Sequence, residues 1–230
     1  MNLIPDWFEP VAEYMLREGL PETLRVAAIA LVASTVVGVV LGVLMTVRFW
    51  PVRWLVRFYV EVWRGLPILV TVLFIYWLPA FDLGPFHIQL SAYQSGALAL
   101  SLWGSAQVAE ATRGAMQSIP AEQSEAAAAL GFGWVGTQVS VVFPQGLRRL
   151  LPPMVGLLVN IIQNTTLAQV IGGLELLEAA ERQNERLTAP PPIGLGEIHS
   201  FAIFGFVMLV FFVISFPLTR LAAYLEKRLV

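Results

Sequence analysis

Five stretches of this chain are long and apolar enough to predict helices that cross a membrane. A spanning helix needs about 20 mostly apolar residues to cover about 30 Å of hydrocarbon. Charged residues make up 13% of the chain and hydrophobic residues 57%, whereas a soluble domain usually carries about 25% charged residues. We therefore predict an all-α integral membrane protein with about five transmembrane helices, at residues 23–47, 58–79, 91–116, 151–171 and 199–221.

The first of these stretches carries small residues at a fixed spacing. Ser34, Gly38 and Gly42 are four residues apart, so they lie on one face of a helix. Small residues at this spacing let two helix backbones approach closely in lipid, where van der Waals packing drives association. We expect this face to make close contact with another helix.

The basic residues predict how the chain is oriented in the membrane. Of the 14 Lys and Arg residues, ten fall on one side of the predicted spans and four on the other. Cytoplasmic loops carry the excess of Lys and Arg, so we predict the N-terminus outside and the C-terminus in the cytoplasm. The ten are Arg48, Arg53, Arg57, Arg64, Arg113, Arg148, Arg149, Arg220, Lys227 and Arg228; the four are Arg17, Arg25, Arg182 and Arg186.

This orientation divides a single transmembrane domain, residues 1–230, into named segments. Residues 1–22 form an external amphipathic segment, residues 117–150 a cytoplasmic loop, and residues 172–198 an external loop. The loop at residues 79–90 has no Lys or Arg, as an outside loop should.

Several kinds of chemistry are disfavoured by what the sequence lacks. There is no cysteine, which excludes thiolate nucleophiles and Cys-ligated metals. There is no Gly-rich phosphate loop ending in Lys-Ser/Thr, so we do not expect the chain to hydrolyse ATP itself. The histidines His87 and His199 are far apart and lack further ligands, so we predict no metal or other cofactor in this chain.

The cytoplasmic loop carries the most informative motif. It reads Glu125-Ala126-Ala127, then three residues, then Gly131, and nine residues later a run from Val141 to Pro144. Pro120 and the glycines after Leu130 bracket a short helix over residues 122–130. We expect this helix to face the cytoplasm, where its small side chains would fit a groove on another protein.

The loop resembles the cytoplasmic signature loop of binding-protein-dependent ABC importer permeases, Glu-Ala-Ala-x3-Gly-x9-Ile-x-Leu-Pro. Val141 and Phe143 are conservative departures. Other segments resemble the polar amino acid branch of that family, which includes histidine, glutamate, glutamine, arginine and opine permeases. These segments are Tyr59 to Pro67, Ala109 to Pro120 followed by Gln123, and Asn164 to Leu167. Leu66 stands for the usual Thr, Glu122 for the usual Gly, and Gln163 for the frequent Lys.

The resemblance implies a type I importer permease in a bacterial inner membrane that works by alternating access. It implies three kinds of protein partner: a cytoplasmic ATPase dimer that binds ATP and Mg, a second permease subunit, and an external substrate-binding protein. The resemblance also implies which residues couple the permease to the ATPase: Gln123, Glu125, Ala126, Ala127, Gly131 and Pro144.

Charged residues inside the predicted spans are costly and need a reason. Glu61 and Arg64 are three residues apart, as are Glu110 and Arg113, so each pair shares a helix face and is predicted to form an ion pair. Each pair is interpreted either as a structural staple near the inner membrane boundary or as a gating element that moves with the cytoplasmic loop.

A neutral polar cluster in the fourth span is a candidate for the substrate pathway. Gln163, Asn164, Thr165 and Thr166 offer amide and hydroxyl groups that suit transient contact with an amino acid, although they equally suit hydrogen bonding between helices. Gly65 and Pro67 are predicted to unwind the second span and expose its backbone to a cavity.

Three other classes of membrane protein remain as alternatives. A membrane-embedded enzyme would need a catalytic Ser/His/Asp or metal set, and the sequence shows none. An ion-coupled secondary transporter should show repeated halves with broken helices, and the sequence shows no repeat. A structural membrane subunit would not need the spaced motif. We therefore predict a translocating subunit that is not an enzyme.

Overall fold

The computed structural model describes residues 5–78, 90–192 and 194–229. Within these ranges the regular structure is helical, as the composition predicts. The loop predicted at residues 79–90 lies almost entirely outside the described residues, and so does His87. The helices are α1 Phe8–Tyr14, α2 Leu20–Leu44, α3 Trp50–Gly65, α4 Ile68–Trp77, α5 Ala92–Gln117, α6 Ala121–Ala129, α7 Trp134–Thr137, α8 Phe143–Asn164, α9 Leu176–Thr188 and α10 Ser200–Leu229.

Three helical runs of the described chain are long and apolar enough to cross a membrane: Phe8–Leu44, Trp134–Ile171 and Ser200–Leu229. The broken pair α3 and α4 would add a fourth. Helix α5 has 26 residues, a length of about 39 Å, but its polar residues keep it out of this group. The all-α membrane architecture is confirmed, whereas the count of five spans stays a prediction.

The first and fourth spans begin earlier than predicted. A π-helical turn, Met15–Gly19, joins α1 to α2, so the helix that should start near residue 23 already starts at Phe8. Its apolar face explains the extension, because Val11 and Met15 are buried against Leu176 and Ala179 of α9. The fourth span likewise continues back to Trp134, so the regular helix occupies much of the predicted loop at residues 117–150.

The second span is interrupted where Gly65 and Pro67 predict unwinding. Helix α3 ends at Gly65, and Leu66 and Pro67 are extended, with ψ angles of 138° and 125°. Proline lacks an N–H and disfavours helical geometry in the residue before it. Helix α4 then starts at Ile68, so the predicted break is confirmed.

The chain divides into two compact units, and four long helices contribute residues to both. The first unit comprises Met1–Ala30, Pro67–Leu100 and Ile161–Phe216. Its core joins the N-terminal helix to α9 and α10, with Met15, Leu176 and Ile203 fully buried.

The second unit comprises Leu31–Leu66, Ser101–Asn160 and Pro217–Val230. Within it, the small face of α2 lies directly on α5. A Cβ added at Gly38 would lie 2.7 Å from the carbonyl oxygen of Ser105, and the hydroxyl of Ser34 donates to the carbonyl of Ser101 at 3.3 Å. The close packing predicted from the spacing of the small residues is confirmed.

Candidate functional site

Helix α6 carries the signature motif, and its two ends are marked by a proline and a glycine. Pro120 precedes its first residue, and Gly131 follows it with φ of 88°. The amide of Phe132 donates to the carbonyl of Ala127 at 3.0 Å, and the amide of Gly131 donates to that of Ala128 at 2.9 Å. These two bonds form a Schellman cap, which satisfies the last carbonyls of the helix. The predicted short helix and its glycine exit are confirmed.

The faces of α6 differ in exposure. Glu125 and Ala126 are exposed, whereas Ala127 is only 4% exposed. The prediction that Ala127 faces outward with its neighbours is therefore wrong. Successive helical residues are about 100° apart, so neighbours of an exposed residue need not share its face. The outward surface includes Glu122, Glu125 and Ala129, and the exposed residues Ala126 and Ala128 flank it.

Two polar contacts hold the segment around α6 in the second unit. The side chain of Gln145 donates to the side-chain oxygen of Gln123 and to the carbonyl of Val141, the latter at 3.0 Å. The guanidinium of Arg149 donates to the carbonyl of Ser118 at 2.6 Å and to its hydroxyl at 3.0 Å. The sequence analysis did not predict these contacts, because no local pattern links positions 22 or 31 residues apart.

Pro144, the last residue of the motif, lies in the first turn of α8. Proline has no backbone N–H, so it donates no hydrogen bond to the preceding helical turn. A π-helical turn, Gln138–Val142, precedes it. Pro144 therefore marks the point where the motif passes into the long helix.

One of the two predicted ion pairs is present and the other is not. Arg113 Nε donates to Glu110 Oε2 at 3.0 Å, which confirms that pair. Among the described residues, Glu61 pairs instead with Arg57, at 2.9 Å between Nε and Oε1. The predicted Glu61–Arg64 pair is wrong, because Arg57 lies one turn before Glu61 and competes for the same carboxylate.

Arg64 is directed towards α5. Its Nε donates to the side-chain oxygen of Gln107 at 3.3 Å, and its Nη1 lies 4.0 Å from Glu110 Oε2. These groups and Asn160 line a cleft of about 360 Å³ within the second unit. The cleft thus combines a guanidinium, a carboxylate and two amides, a combination that sequence analysis did not assemble because it joins three helices.

The polar cluster at the end of α8 is less uniform than its sequence suggests. Thr165 is fully buried, and its hydroxyl donates to the carbonyl of Ile162 at 2.7 Å. Thr166 donates in the same way to Gln163 at 2.8 Å. Gln163 is exposed, and Asn164 and Thr166 are half-buried, so Thr165 is the one inaccessible member of the four. The role of all four in a substrate pathway stays a prediction, as do those of Gly65 and Pro67, which are both exposed.

An acidic residue that the sequence analysis did not single out caps α9. The carboxylate of Glu175 accepts the amides of Leu177 and Glu178 at 2.9 and 2.7 Å. The side chain is almost fully buried, and burial raises the pKa of Glu175 to about 7 despite these two donors. The next residue is anchored too, because the amide of Leu176 donates to the Thr23 hydroxyl at 3.0 Å.

A comparison with known protein families decides the class of this molecule. The family of binding-protein-dependent transport system inner membrane components matches residues 38–230. The chain belongs to this family. The resemblance seen in the motif of α6 is thereby confirmed, and the multi-pass architecture agrees with a family of inner membrane components.

Individual members of the family resemble the chain over nearly its whole length. A probable glutamine ABC transporter permease, GlnM of Bacillus subtilis, is 32% identical over 96% of this chain and 95% of its own. The glutamine transport permease GlnP of Escherichia coli is 30% identical over 94% and 93%. A crystal structure of an amino acid ABC transporter with histidines has a TM-score of 0.81 at 24% identity, covering 98% of this chain and 100% of the other. The predicted importer permease fold is confirmed.

Proposed function

We propose that this chain is the translocating subunit of an importer for a polar amino acid, driven by ATP hydrolysis on a separate subunit. The observation that carries the proposal is the outward surface of α6. It presents Glu122, Glu125 and Ala129, while Ala127 and Gln123 hold the helix to its own unit.

This surface suits docking into a groove of an ATPase. Its side chains are short or acidic, so a neighbouring protein can approach the helix closely and a basic residue of that protein can pair with Glu125. The Schellman cap fixes the length of the helix, which keeps the docking surface rigid. Movement of the ATPase would then move α6 as a rigid body, and the pore would switch between its inward-facing and outward-facing states.

The substrate class rests on the relatives and on the cleft in the second unit. GlnM and GlnP are glutamine permeases by name, and we extend this to a glutamine-like substrate here. The cleft beside α5 offers Glu110 for an ammonium group, Arg64 for a carboxylate, and the amides of Gln107 and Asn160 for a polar side chain. The polar groups of the cleft already contact one another, so a bound substrate would replace these contacts with its own hydrogen bonds.

The assembly follows from the proposed mechanism. The ATPase dimer binds ATP and Mg on the cytoplasmic side, a second permease subunit completes the pore, and an external binding protein delivers substrate. This chain supplies the passage and no bond-breaking chemistry.

The test is ATP hydrolysis stimulated by loaded binding protein, measured beside substrate uptake in reconstituted liposomes. Glu125→Lys places a positive charge against the basic residue expected on the ATPase. The matched control is Glu226→Lys, which makes the same change at an exposed position in the last turns of α10. We expect Glu125→Lys to lower stimulated hydrolysis and uptake together, and Glu226→Lys to keep both.

Equal activity of the two variants would contradict docking through α6. The substrate arm uses binding protein loaded in turn with glutamine, glutamate, arginine, histidine or cystine. Asn160→Ala and Gln107→Ala should reduce uptake of the preferred amino acid while the complex stays assembled. Unchanged uptake in both would place the cleft outside the pathway.

A further inference from the structure

A second cavity in the same unit lies beside α6 and is lined by three arginines. It has a volume of about 510 Å³, and the three arginines are Arg53, Arg57 and Arg113. Ser124 of α6 and Gln138 add neutral hydrogen-bonding groups. Among the described residues that line it, none is acidic. A cavity with this lining favours an anion.

The three arginines retain capacity for such a ligand. Arg57 uses its Nε for Glu61, and Arg113 donates to Glu110 and Gln117. The side chain of Arg53 forms no ion pair with the rest of the described chain. Each guanidinium has five N–H donors, so several remain. Glu61 and Glu110 compensate two of the three positive charges, which leaves about one for a ligand.

An aromatic surface adjoins the basic cavity. Arg57 and its ion-pair partner Glu61 also line a neighbouring cavity of about 320 Å³, together with Trp54 and Phe58. These two rings stack with centroids 5.9 Å apart, and they are 63% and 58% exposed. Exposed aromatic residues beside basic ones are typical of the membrane interface, where rings meet acyl chains and arginines meet phosphates.

We propose that the two cavities together bind one anionic phospholipid. Its phosphodiester occupies the arginine-lined cavity, and its acyl chains lie across Trp54 and Phe58. A head group with a single negative charge balances the one uncompensated arginine, which favours phosphatidylglycerol over a zwitterionic lipid. Inorganic phosphate is also an anion that arginines can bind, but it has no acyl chain to contact the two aromatic rings.

The bound lipid touches the element that the proposed function assigns to coupling. Ser124, on α6, lines the same cavity as Arg53 on α3 and Arg113 on α5. The lipid would therefore brace α6 against two membrane helices. Because α6 is predicted to face the cytoplasm, this lipid would belong to the cytoplasmic leaflet. That placement rests on the proposed function, whereas lipid binding itself does not.

The experiment uses the full chain in nanodiscs of phosphatidylcholine with increasing fractions of phosphatidylglycerol. Unfolding temperature reports stabilisation by lipid, and native mass spectrometry reports lipid retained. Arg53→Gln removes the uncompensated charge. Arg48→Gln is the matched control, because Arg48 is exposed in the connection just before α3 but does not line the cavity.

We expect wild type and Arg48→Gln to gain stability from phosphatidylglycerol and to retain one such lipid. Arg53→Gln should need about fivefold more of it for the same gain, the value expected for one basic residue near a lipid surface. Trp54→Ala should also weaken retention, because it removes the acyl-chain contact.

Three results would overturn the proposal: equal stabilisation by phosphatidylcholine alone, equal loss in Arg48→Gln and Arg53→Gln, or full replacement of the lipid by soluble inorganic phosphate. None of these readouts requires transport or an ATPase. Failure of the lipid site is therefore distinguishable from failure of coupling through Glu125.

Discussion

The amide of Phe132 donates a hydrogen bond to the carbonyl of Ala127 at 3.0 Å. The bond closes because Gly131, between the two residues, turns the chain with φ of 88°. That conformation costs a residue with a Cβ about 1–2 kcal/mol. One backbone angle therefore sets where α6 ends and how the chain leaves it.

Gly131→Val is expected to lower binding-protein-stimulated ATP hydrolysis and uptake together, because a β-branched residue cannot hold this turn without strain. The membrane domain should stay folded, as judged by size-exclusion chromatography. Gly133→Val is the matched control, since Gly133 has φ of −70° and ψ of 171°, which valine adopts readily. Full coupling in Gly131→Val would mean that the cap is dispensable.

Gly42→Ala is expected to destabilise the protein by about 1–3 kcal/mol, as overpacking does. The added Cβ would lie 2.6 Å from the carbonyl oxygen of Ala109 on α5. Gly205→Ala makes the same change inside α10, where nothing lies within 4 Å, and should be neutral or stabilising. Thermal unfolding in detergent distinguishes the two, and a Gly42→Ala protein as stable as wild type would refute the close contact.

Replacing Gln163 is expected to change substrate preference in opposite directions for opposite charges. Gln163→Lys should favour acidic over basic amino acids, and Gln163→Glu should do the reverse, if this exposed side chain lines the pathway. Competition uptake with glutamate and arginine measures the shift. The same preference in both variants would place Gln163 outside the pathway.

Stability is expected to fall as pH rises because of Glu175. Its pKa is raised from 4.5 to about 7, so the folded state binds the proton more tightly than the unfolded chain. The stabilisation is fully present below about pH 4.5 and is lost as pH passes through about 7, in total about 3 kcal/mol. Glu175→Gln should flatten the pH profile of the unfolding temperature, although it loses one of two capping bonds. A slope equal to that of wild type would assign the effect elsewhere.

Cysteine labelling is expected to place α6 and α9 on opposite sides of the membrane. The native chain has no cysteine, and Ala128 and Glu185 are both exposed. An impermeant maleimide should label Glu185→Cys in intact spheroplasts and Ala128→Cys only after permeabilisation. The reverse pattern would invert the orientation predicted from the basic residues.

Local signals in the sequence were sufficient wherever the backbone itself decides the structure. Pro120 and Gly131 delimit α6, and Pro67 interrupts the second span, because proline and glycine restrict or permit backbone angles regardless of their neighbours. The small residues of α2 likewise predicted its close contact, since their spacing matches the helical repeat.

The features that the sequence analysis missed depend on tertiary contacts. Spacing alone allowed Glu61 to pair with Arg64, but Arg57 competes for the carboxylate, and Gln107 and Glu110 lie near Arg64. The burial of Ala127 depends on the surface beneath α6, which no local pattern describes. Glu175 looked like an ordinary acidic residue, and only its environment raises its pKa.

The two polar contacts that flank α6 have a mechanical consequence. Gln123 on α6 is joined to Gln145 on α8, and Ser118, at the end of α5, is joined to Arg149 on α8. A force applied to α6 is therefore transmitted to both α5 and α8, and the connecting residues are not a flexible linker. How far a movement of α6 is passed on to the pore then depends on whether these hydrogen bonds hold. A distance measured between spin labels on α6 and α8 should therefore stay constant while other distances in the transporter change.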